Sequence, residues 1–474
     1  MNQASQRLVV VSNRLPAAIA KDGDDWCVRP GSGGLITALA PVLQRAHSLW
    51  IGWPGAPEGA PVRSLLQMAS SDAGYTLHPV ELTERIVRGY YSGFSNEILW
   101  PLFHDMLDRC HFNPAHWPLY REANQRFADV TAEVTNEGDF VWIQDYHLLL
   151  VAQLLSELGV KRRTGFFLHI PFPSPDLFRR LPWRLQILDA MLEHDVLGFQ
   201  TEHDRRNFLR TVKELLPTSQ ITARRRVSTV VEGKRRCSVG HFPIGIDFEM
   251  FQRQAGTSEV EEAAWLFHEN LPRRKIVLGV DRLDYTKGVR RRMHAFELLF
   301  NRYPELEKEV SLLQILVPSR TEVPEYQRIL HDIERMVGHI NGKFSREGWV
   351  PIFYEFRSVP LLELLGAYRA SEIMLVTPLR DGMNLVAKEY CASHVENDGV
   401  LILSEFAGAA AQLGEDAILI NPNDLEGIAD AIHHACVMTQ VEREARMKRL
   451  RATIRRQDVH WWARIFMKAA GIDI

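Results

Sequence analysis

The sequence predicts an α/β protein made of two Rossmann-like domains, each a doubly wound parallel sheet. The chain has 474 residues, which is too many for one comfortable hydrophobic core. Short runs rich in β-branched and aromatic residues recur along it, and each is followed by a longer helical pattern. Short runs that are apolar on both faces and separated by helices are typical of buried parallel strands in βα units.

The predicted strands fall into two sets. The first set covers residues 7–12, 49–53, 139–144, 165–170 and 195–200. The second set covers residues 275–280, 310–316, 351–356, 372–376, 399–403 and 416–420. Two sets of this kind imply two doubly wound domains.

The predicted domain boundary lies near residues 241–247, where a Pro-Ile-Gly turn follows the first set of strands. The first domain therefore spans 1–243 and the second spans 244–458. Just before the boundary, the arginine-rich stretch 223–237 predicts a solvated hairpin that turns at residues 232–234.

The tail of the chain, 459–474, carries Val459, Trp462 and Phe466 on one face of an amphipathic helix. Such a face suits a helix that crosses back from the second domain and packs on the first.

Composition excludes several classes of protein. The net charge of -3 gives no reason to expect nucleic acid or an acidic membrane as partner. Five cysteines, odd in number and without a CxxC pair, favour reduced thiols in a cytoplasm over a disulfide framework or a zinc site. No window approaches the ~18 apolar residues of a membrane span. We therefore expect a cytoplasmic protein without a resident metal.

Ligands of doubly wound sheets bind at the carboxyl ends of the strands, and two facing domains would enclose a deep cleft there. In the first domain this criterion selects Arg14, Asp145 and His169. The carboxylate and the imidazole could hydrogen-bond sugar hydroxyls. Alternatively, Asp145 could cap a helix over 146–149, and His169 could be an ordinary packed histidine.

Two further stretches of the first domain are less specific. The glycine-rich stretch 30–35, PGSGGL, can hold an anion or be a plain flexible loop, and it matches neither GxGxxG nor a P-loop. The stretch 90–101, YYSGFSNEILWP, places aromatic rings around a glycine, which predicts a loop rather than a regular helix. Its rings suit sugar faces and phosphates, or a half-buried corner.

In the second domain, Arg282 and Lys287 follow a predicted strand and could neutralise a diphosphate without a metal ion. Alternatively, they could form salt bridges with the neighbouring Asp281 and Asp284. Arg320 follows the next predicted strand, so the same interpretation as an anion-binding cation applies to it.

The stretch 377–390, TPLRDGMNLVAKEY, predicts a loop after a strand and then a helix from about Met383. The first N–H groups of that helix would form a phosphate site, with Asp381 near a sugar and Glu389 near a ribose. Alternatively, Asp381 is a simple N-cap. Cations on one domain and sugar-binding groups on the other indicate transfer from a nucleotide-activated donor rather than hydrolysis.

These residues lie in motifs that resemble those of the trehalose-6-phosphate synthase family. The motifs run in order from about residue 7 to 465, and they include VVVSNRLP, YYSGFSNEILWPLFH, WIQDYHLL, FFLHIPFPSPDLFRRLPWR, GVDRLDYTKG, TPLRDGMNLVAKEY and SEFAGAA. The resemblance implies a retaining glycosyltransferase of GT-B architecture. Such an enzyme joins glucose from UDP-glucose to glucose 6-phosphate and needs no cofactor.

The resemblance also assigns roles to residues at the acceptor site. Tyr91 and Trp100 would line this site, Arg14 and Arg320 would hold the acceptor phosphate, and Asp145 would bind acceptor hydroxyls.

On the donor side, the resemblance places Gly34 beside the donor, His169 and Asp381 on its glucose, and Arg282 and Lys287 on its diphosphate. The remaining donor contacts would come from Asn384, Leu385, Val386 and Glu389.

One departure from the family pattern is Gln144, which stands where many relatives have histidine. A chain of this length has no room for the phosphatase domain that some relatives carry, so a separate phosphatase would release trehalose. The alternatives left open are a glucosylglycerol-phosphate synthase using glycerol 3-phosphate, a catalytically silent sugar-phosphate sensor, and a phosphorylase-like enzyme with a pyridoxal-phosphate lysine. The donor nucleotide and the oligomeric state also stay open at this point.

Overall fold

The computed structural model describes residues 7–22, 25–31, 34–43, 48–56, 60–270, 274–319 and 323–472. The chain divides into two compact units. One consists of Met1–Ile244 together with Val459–Ile474, and the other is Gly245–Asp458.

The first unit contains a nine-stranded sheet with the strand order β5-β4-β1-β6-β7-β8-β11-β10-β9, and β2 and β3 form a separate hairpin. The strands are β1 Leu8–Arg14, β2 Ala17–Asp22, β3 Asp25–Pro30, β4 Leu49–Trp53, β5 Thr76–Pro79, β6 Phe140–Gln144, β7 Arg163–Phe167, β8 Val196–Phe199, β9 Gln220–Thr222, β10 Val227–Glu232 and β11 Arg235–His241.

All five strands predicted for this unit are present, but its sheet is not purely parallel. The strands β5, β4, β1, β6, β7, β8 and β11 pair in parallel with their neighbours in this order. Strand β10 pairs antiparallel with both β11 and β9. The predicted hairpin is confirmed, and it turns at Gly233, whose φ of 59° suits a glycine. The prediction missed β5, β9 and the β2–β3 hairpin because short edge strands lack a long apolar run.

Helices cover this sheet. They are α1 Gly34–Leu43, α2 Val62–Ala73, α3 Glu84–Val87, α4 Trp100–Phe103, α5 His116–Val134, α6 Val151–Glu157, α7 Pro175–Phe178, α8 Arg184–Met191 and α9 Glu202–Leu215. A π-helix, Arg88–Leu99, joins α3 to α4.

The tail helix, Val459–Ala469, packs on the sheet of the first unit, as its amphipathic face predicts. Its Trp462 and Phe466 rings lie 4.9 Å and 4.7 Å from the ring of Trp142 on β6. Gly198 on β8 permits this contact, because a Cβ there would lie 2.8 Å from Phe466. The glycine thus leaves room for an aromatic ring against the sheet.

The second unit contains a six-stranded parallel sheet with the strand order β14-β13-β12-β15-β16-β17, and all six of its strands were predicted. They are β12 Lys275–Arg282, β13 Val310–Val317, β14 Ile352–Phe356, β15 Ile373–Val376, β16 Val400–Ser404 and β17 Ile418–Ile420. The helices are α10 Phe248–Ala255, α11 Ser258–Asn270, α12 Val289–Arg302, α13 Pro324–Phe344, α14 Leu361–Ala370, α15 Leu385–Ser393, α16 Ala410–Leu413, α17 Leu425–Val437 and α18 Gln440–Arg456.

Three further observations concern the described residues. None of their helices is long and apolar enough to cross a membrane. They include no cluster of three or more histidine, cysteine or acidic side chains that could hold a metal ion. All five cysteines are free thiols, as predicted from their number and spacing.

Candidate active site

Arg14 is the last residue of β1, and it is exposed. The pairing of β1 with β4 shifts register between Ser12 and Arg14, and irregularities of this kind re-aim side chains near functional sites. The guanidinium carbon lies 3.9 Å from the centre of the Trp53 ring and 5.9 Å from that of Tyr91. Within the described residues no carboxylate pairs with Arg14. A stacked, unpaired guanidinium is well suited to bind a phosphate.

The aromatic stretch that follows is a π-helix and not the predicted loop. Its glycines serve close packing against α5 and do not break the helix. A Cβ on Gly93 would lie 2.5 Å from His116, and one on Gly89 would collide with Leu119. π-Helical segments are rare and frequently occur at functional sites.

The π-helix holds its two tyrosines in different environments. Tyr90 is fully buried and donates a hydrogen bond of 2.9 Å to Asn13, next to Arg14. Tyr91 is partly exposed and stacks on His147, with ring centres 5.7 Å apart and planes 13° apart. The structure therefore brings Tyr91 and Arg14 together.

Trp100, at the start of α4, is more deeply placed. It is 6% exposed, and its ring lies 4.1 Å from His104 and 5.7 Å from Tyr146. It therefore reaches the cluster of Arg14 and Tyr91 through its neighbours.

Sequence reasoning missed Trp53 and His147, which complete this aromatic cluster. Trp53 ends β4, so the end-of-strand criterion would have selected it. His147 lies two residues after Asp145, and its stacking on Tyr91 marks it.

Asp145 follows β6 with φ of 72° and ψ of 167°, a conformation that costs free energy for a residue other than glycine. Its side chain does not cap the short 3-10 helix Tyr146–Leu148, so the N-cap alternative is wrong. Its Oδ1 instead accepts a hydrogen bond of 3.1 Å from the backbone N–H of His169. Strain of this kind is frequent at ligand-binding sites.

The imidazole of His169 lies between two glutamines. Nε2 lies 2.9 Å from Oε1 of Gln144, and Nε2 of Gln200 lies 3.5 Å from Nδ1 of the ring. Gln200 is oriented by the backbone N–H of Ile244, which donates to its Oε1 at 3.0 Å. This arrangement places the proton of the ring on Nε2. Burial lowers the pKa of His169 to about 3, so the ring is neutral at physiological pH.

The structure describes little of the surroundings of two further residues predicted for the site. Arg320 lies outside the described residues. Gly34 begins α1, and the loop residues directly before it, 32 and 33, lie outside the described residues as well.

In the second unit, Lys287 and Asp381 form an ion pair with a distance of 2.6 Å between Nζ and Oδ2. Both side chains are nearly buried, at 12% and 13% exposed. Asn384 also donates to Oδ2 of Asp381, at 3.2 Å. Three predicted donor-binding residues are therefore in direct contact.

Arg282 ends β12, is exposed, and has no carboxylate partner within the described residues. The expected alternative, a pair with a neighbouring aspartate, is wrong because Asp281 binds the buried Arg292 of α12. Arg292 also donates to Gln314 on β13 and Thr377 after β15. This buried network, which sequence reasoning missed, ties β12 and β13 to the segment after β15, beside Arg282. The sequence signal for this network was Gln314, a polar residue within an otherwise apolar strand.

The loop before α15 is held on both sides. The N–H of Leu379 donates to the carbonyl of Thr286, and that of Asp381 donates to the carbonyl of Phe406. Helix α15 then begins at Leu385, two residues later than predicted, and its N-cap is Asn384 rather than Asp381. The N–H groups of Leu385 and Val386 belong to the first turn, where no helical carbonyl can accept from them. They are available to an anion.

Glu389 lies one turn into α15. Its Oε2 accepts a hydrogen bond of 3.0 Å from the hydroxyl of Tyr368 on α14. Burial raises the pKa of Glu389 to about 7. A carboxyl group with a pKa near neutrality is an unusual feature that often accompanies ligand binding.

Comparisons with known proteins cover nearly the whole chain. The model of glycosyltransferase family 20 matches residues 6–471. The trehalose-6-phosphate synthase of Mycolicibacterium gilvum is 42% identical over 98% of this chain and 94% of its own. The solved UDP-forming synthase from Burkholderia xenovorans in complex with glucose-6-phosphate has a TM-score of 0.88, with 33% identity over 98% of this chain and 100% of that chain. The solved E. coli structure with bound UDP-2-fluoro glucose has a TM-score of 0.88, with 37% identity over 99% of both chains.

Proposed function

The chain belongs to glycosyltransferase family 20, and we propose that it makes α,α-trehalose 6-phosphate from UDP-glucose and glucose 6-phosphate. It is a glycosyltransferase of the GT-B fold, a UDP-forming synthase of the trehalose pathway. The observation that carries this proposal is the match over almost the entire chain to a synthase that holds glucose-6-phosphate. The five unpaired thiols favour the cytoplasm as its setting.

The acceptor is held mainly by the first unit. Arg14, stacked on Trp53 and without a carboxylate partner in the described part of the chain, binds the phosphate of glucose 6-phosphate, and Tyr91 lies beside it. Asp145 and Trp100 line the sugar, and Arg320 adds a second cation. Because the phosphate carries most of the charge of the acceptor, Arg14 accounts for a preference for phosphorylated acceptors.

The donor is held mainly by the second unit. The diphosphate binds Arg282, Lys287 and the backbone N–H groups of Asn384, Leu385 and Val386, where the helix dipole favours an anion. Asp381 binds glucose hydroxyls, and Glu389 binds the ribose. The family motifs also assign Gly34 and His169 to the donor, and His169 is a neutral group.

The reaction proceeds by attack on the same face that the leaving group occupies. The bond between the anomeric carbon and the diphosphate oxygen breaks, and the acceptor hydroxyl oxygen forms the new glycosidic bond. The proton of that hydroxyl passes to the departing diphosphate oxygen, and attack from the same face retains the configuration. Arg282 and Lys287 stabilise the negative charge that develops on the diphosphate, and binding geometry supplies the rest of the catalysis.

The test is to incubate the purified protein with UDP-glucose and EDTA, with either glucose 6-phosphate or glycerol 3-phosphate added. UDP release, product mass and anomeric configuration would be measured. From glucose 6-phosphate we expect a disaccharide phosphate whose single glycosidic bond joins two α-anomeric carbons, and no loss of rate with EDTA. Product formed with glycerol 3-phosphate but not with glucose 6-phosphate would overturn the acceptor assignment. Absence of product with UDP-, ADP- and GDP-glucose would favour a silent sensor.

A further inference from the structure

Tyr368 is placed to control the ionisation state of the Glu389 carboxyl group. It is fully buried on α14, and its hydroxyl donates to Oε2 of Glu389. Among the described residues no other side chain donates to this carboxylate, and none forms an ion pair with it. The second oxygen of Glu389 is therefore available to a ligand.

Several charged groups on the elements around α15 have partners of their own. Lys388, the neighbour of Glu389, donates to Gln412. The others form separate contacts: Glu249 on α10 binds Arg455, Arg369 on α14 binds Glu396, Arg451 on α18 binds the Cys391 and Ala392 carbonyls, and Asp281 on β12 binds Arg292. In the described part of the chain, the hydroxyl of Tyr368 is thus the side-chain donor that stabilises an ionised Glu389.

We propose that Tyr368 is a positioning residue that keeps Glu389 ionised and oriented for the ribose hydroxyls of the donor, so that donor binding releases a proton and weakens as the pH falls. This inference rests on the proposed function, because it takes the ribose of UDP-glucose as the ligand of Glu389. Two adjacent hydroxyls offer two protons for hydrogen bonding. An ionised carboxylate accepts both, whereas a protonated carboxyl has one oxygen that donates instead.

Burial and the tyrosine act on Glu389 in opposite directions. Burial raises its pKa to about 7, while the hydrogen bond from Tyr368 lowers it. Near neutral pH the free protein therefore contains both forms of Glu389, and the donor selects the ionised one. Lys388 also has a pKa of about 7, through burial, but its effect has the opposite sign. Protonated Lys388 would attract the anionic donor, and binding would strengthen as the pH falls.

The first measurement is the dissociation constant of UDP-glucose by calorimetry between pH 6 and 8.5, without acceptor. Omitting glucose 6-phosphate matters because a phosphate monoester itself titrates near pH 6. In the wild type we expect affinity to fall by up to about tenfold for each pH unit below the pKa of Glu389. Repeating the titration at pH 6.5 in buffers with different ionisation enthalpies should show net proton release. Flat affinity, or affinity that rises as the pH falls, would overturn the proposal.

The decisive variant is Tyr368→Phe, with Tyr390→Phe as its matched control. Tyr390 is also fully buried, but its hydroxyl donates to the Ser371 carbonyl instead of to Glu389. We expect Tyr368→Phe to move the affinity curve about one pH unit higher, so that binding lost at pH 7 returns at pH 8.5. Tyr390→Phe should keep the wild-type curve. A loss in Tyr368→Phe that is equal at every pH would show a merely structural role.

A second variant covers the case in which Tyr368→Phe does not fold. Glu389→Gln keeps the shape of the side chain and cannot titrate, so its donor affinity should no longer fall as the pH falls from 8.5 to 6. Retention of the wild-type pH dependence in Glu389→Gln would contradict the proposal. A wild type that makes trehalose 6-phosphate but shows no proton release would refute this inference alone, whereas a wild type that neither binds nor uses UDP-glucose would refute the proposed function.

Discussion

Lys287 and Asp381 bind each other in the free protein, although each is expected to contact the donor. A diphosphate arriving at Lys287 must therefore share this cation with the carboxylate. Among the residues that the structure describes, Arg282 has no such competitor, because the nearby Asp281 is occupied by Arg292. At the scale of single residues, the two cations thus start from different states, one paired and one ready for the diphosphate.

Replacing Arg282 by alanine should lower kcat by about 10²- to 10³-fold, since its charge stabilises the leaving group mainly in the transition state. The KM for glucose 6-phosphate should change little. Steady-state kinetics with both substrates varied would test this. Arg290→Ala is the control, because that exposed arginine pairs with Asp332 on the surface of the same unit. Near-normal kcat with a raised acceptor KM would remove Arg282 from its proposed role.

Asp381→Asn should affect UDP and UDP-glucose differently. UDP lacks the glucose that Asp381 is proposed to hold, so freeing Lys287 from its ion pair should tighten UDP binding about threefold to tenfold. Turnover of UDP-glucose should fall. Calorimetry with UDP and turnover assays would be compared, with Asp332→Asn as the control. Weaker UDP binding in Asp381→Asn would show that the ion pair does not compete with the diphosphate.

At the scale of elements, the π-helix Arg88–Leu99 has one buried side and one partly exposed side. Tyr90 anchors it to β1 through Asn13, while Tyr91 lies beside Arg14. Gly89 and Gly93 allow α5 to approach closely on the opposite side. The element is therefore fixed by its packing, and this packing sets the place of Tyr91.

Gly93→Ala should destabilise the protein by about 1–3 kcal/mol, because the new methyl group would overlap the ring of His116. The KM for glucose 6-phosphate should rise as Tyr91 shifts. Urea unfolding and acceptor kinetics would measure the two effects. Gly138→Ala offers a control, since nothing lies within 4 Å of a Cβ at that position. Equal stability of the two variants would refute this account of the packing.

The tail helix is the second element with a clear energetic role. Phe466 is fully buried and contacts the ring of Trp142. Phe466→Ala should therefore cost about 3–5 kcal/mol of unfolding free energy. The exposed Arg464 on the same helix gives the control Arg464→Ala, which should stay within about 0.5 kcal/mol of wild type. A small effect of Phe466→Ala would mean that the sheet is stable without the helix.

At the scale of the whole molecule, some buried ionisable groups lower stability as the pH falls, and another lowers it as the pH rises. The pKa values of His169 and His194 are lowered to about 3, so the stability they contribute is present above about pH 6.5 and is lost as the pH falls toward 3. The pKa of Glu389 is raised to about 7, so the stability gained from its protonated form is present below about pH 4.5 and is lost as the pH rises through 7. An ionised Glu389 thus costs stability at the pH where the proposed function needs it.

Glu389→Gln should therefore raise the midpoint of thermal unfolding at pH 8 and leave it nearly unchanged at pH 5. The gain should be on the order of 1–3 kcal/mol, or a few degrees. Scanning calorimetry of wild type and variant at both pH values would test this. Glu363→Gln is a suitable control, because Glu363 is partly exposed and paired with Arg357. A gain of the same size at pH 5 would indicate improved packing instead of removal of a buried charge.

Much of the fold could be predicted because strand patterns are local. All six strands of the second sheet and the five predicted strands of the first are present. Arg14 and Arg282 were recognised because each ends a strand. The loop predicted around Gly93 was wrong, because the role of that glycine depends on His116, more than twenty residues away in the chain.

The sequence by itself determined the two-sheet architecture, the family, and the residues at the ends of the strands. These depend on side-chain type and spacing within short segments. Only the tertiary structure decided that Lys287 pairs with Asp381, that Asn384 caps α15, and that Glu389 receives its hydrogen bond from Tyr368. Ion pairs, hydrogen-bond partners and pKa values depend on distance and burial among residues far apart in the chain, and a local pattern does not contain these quantities.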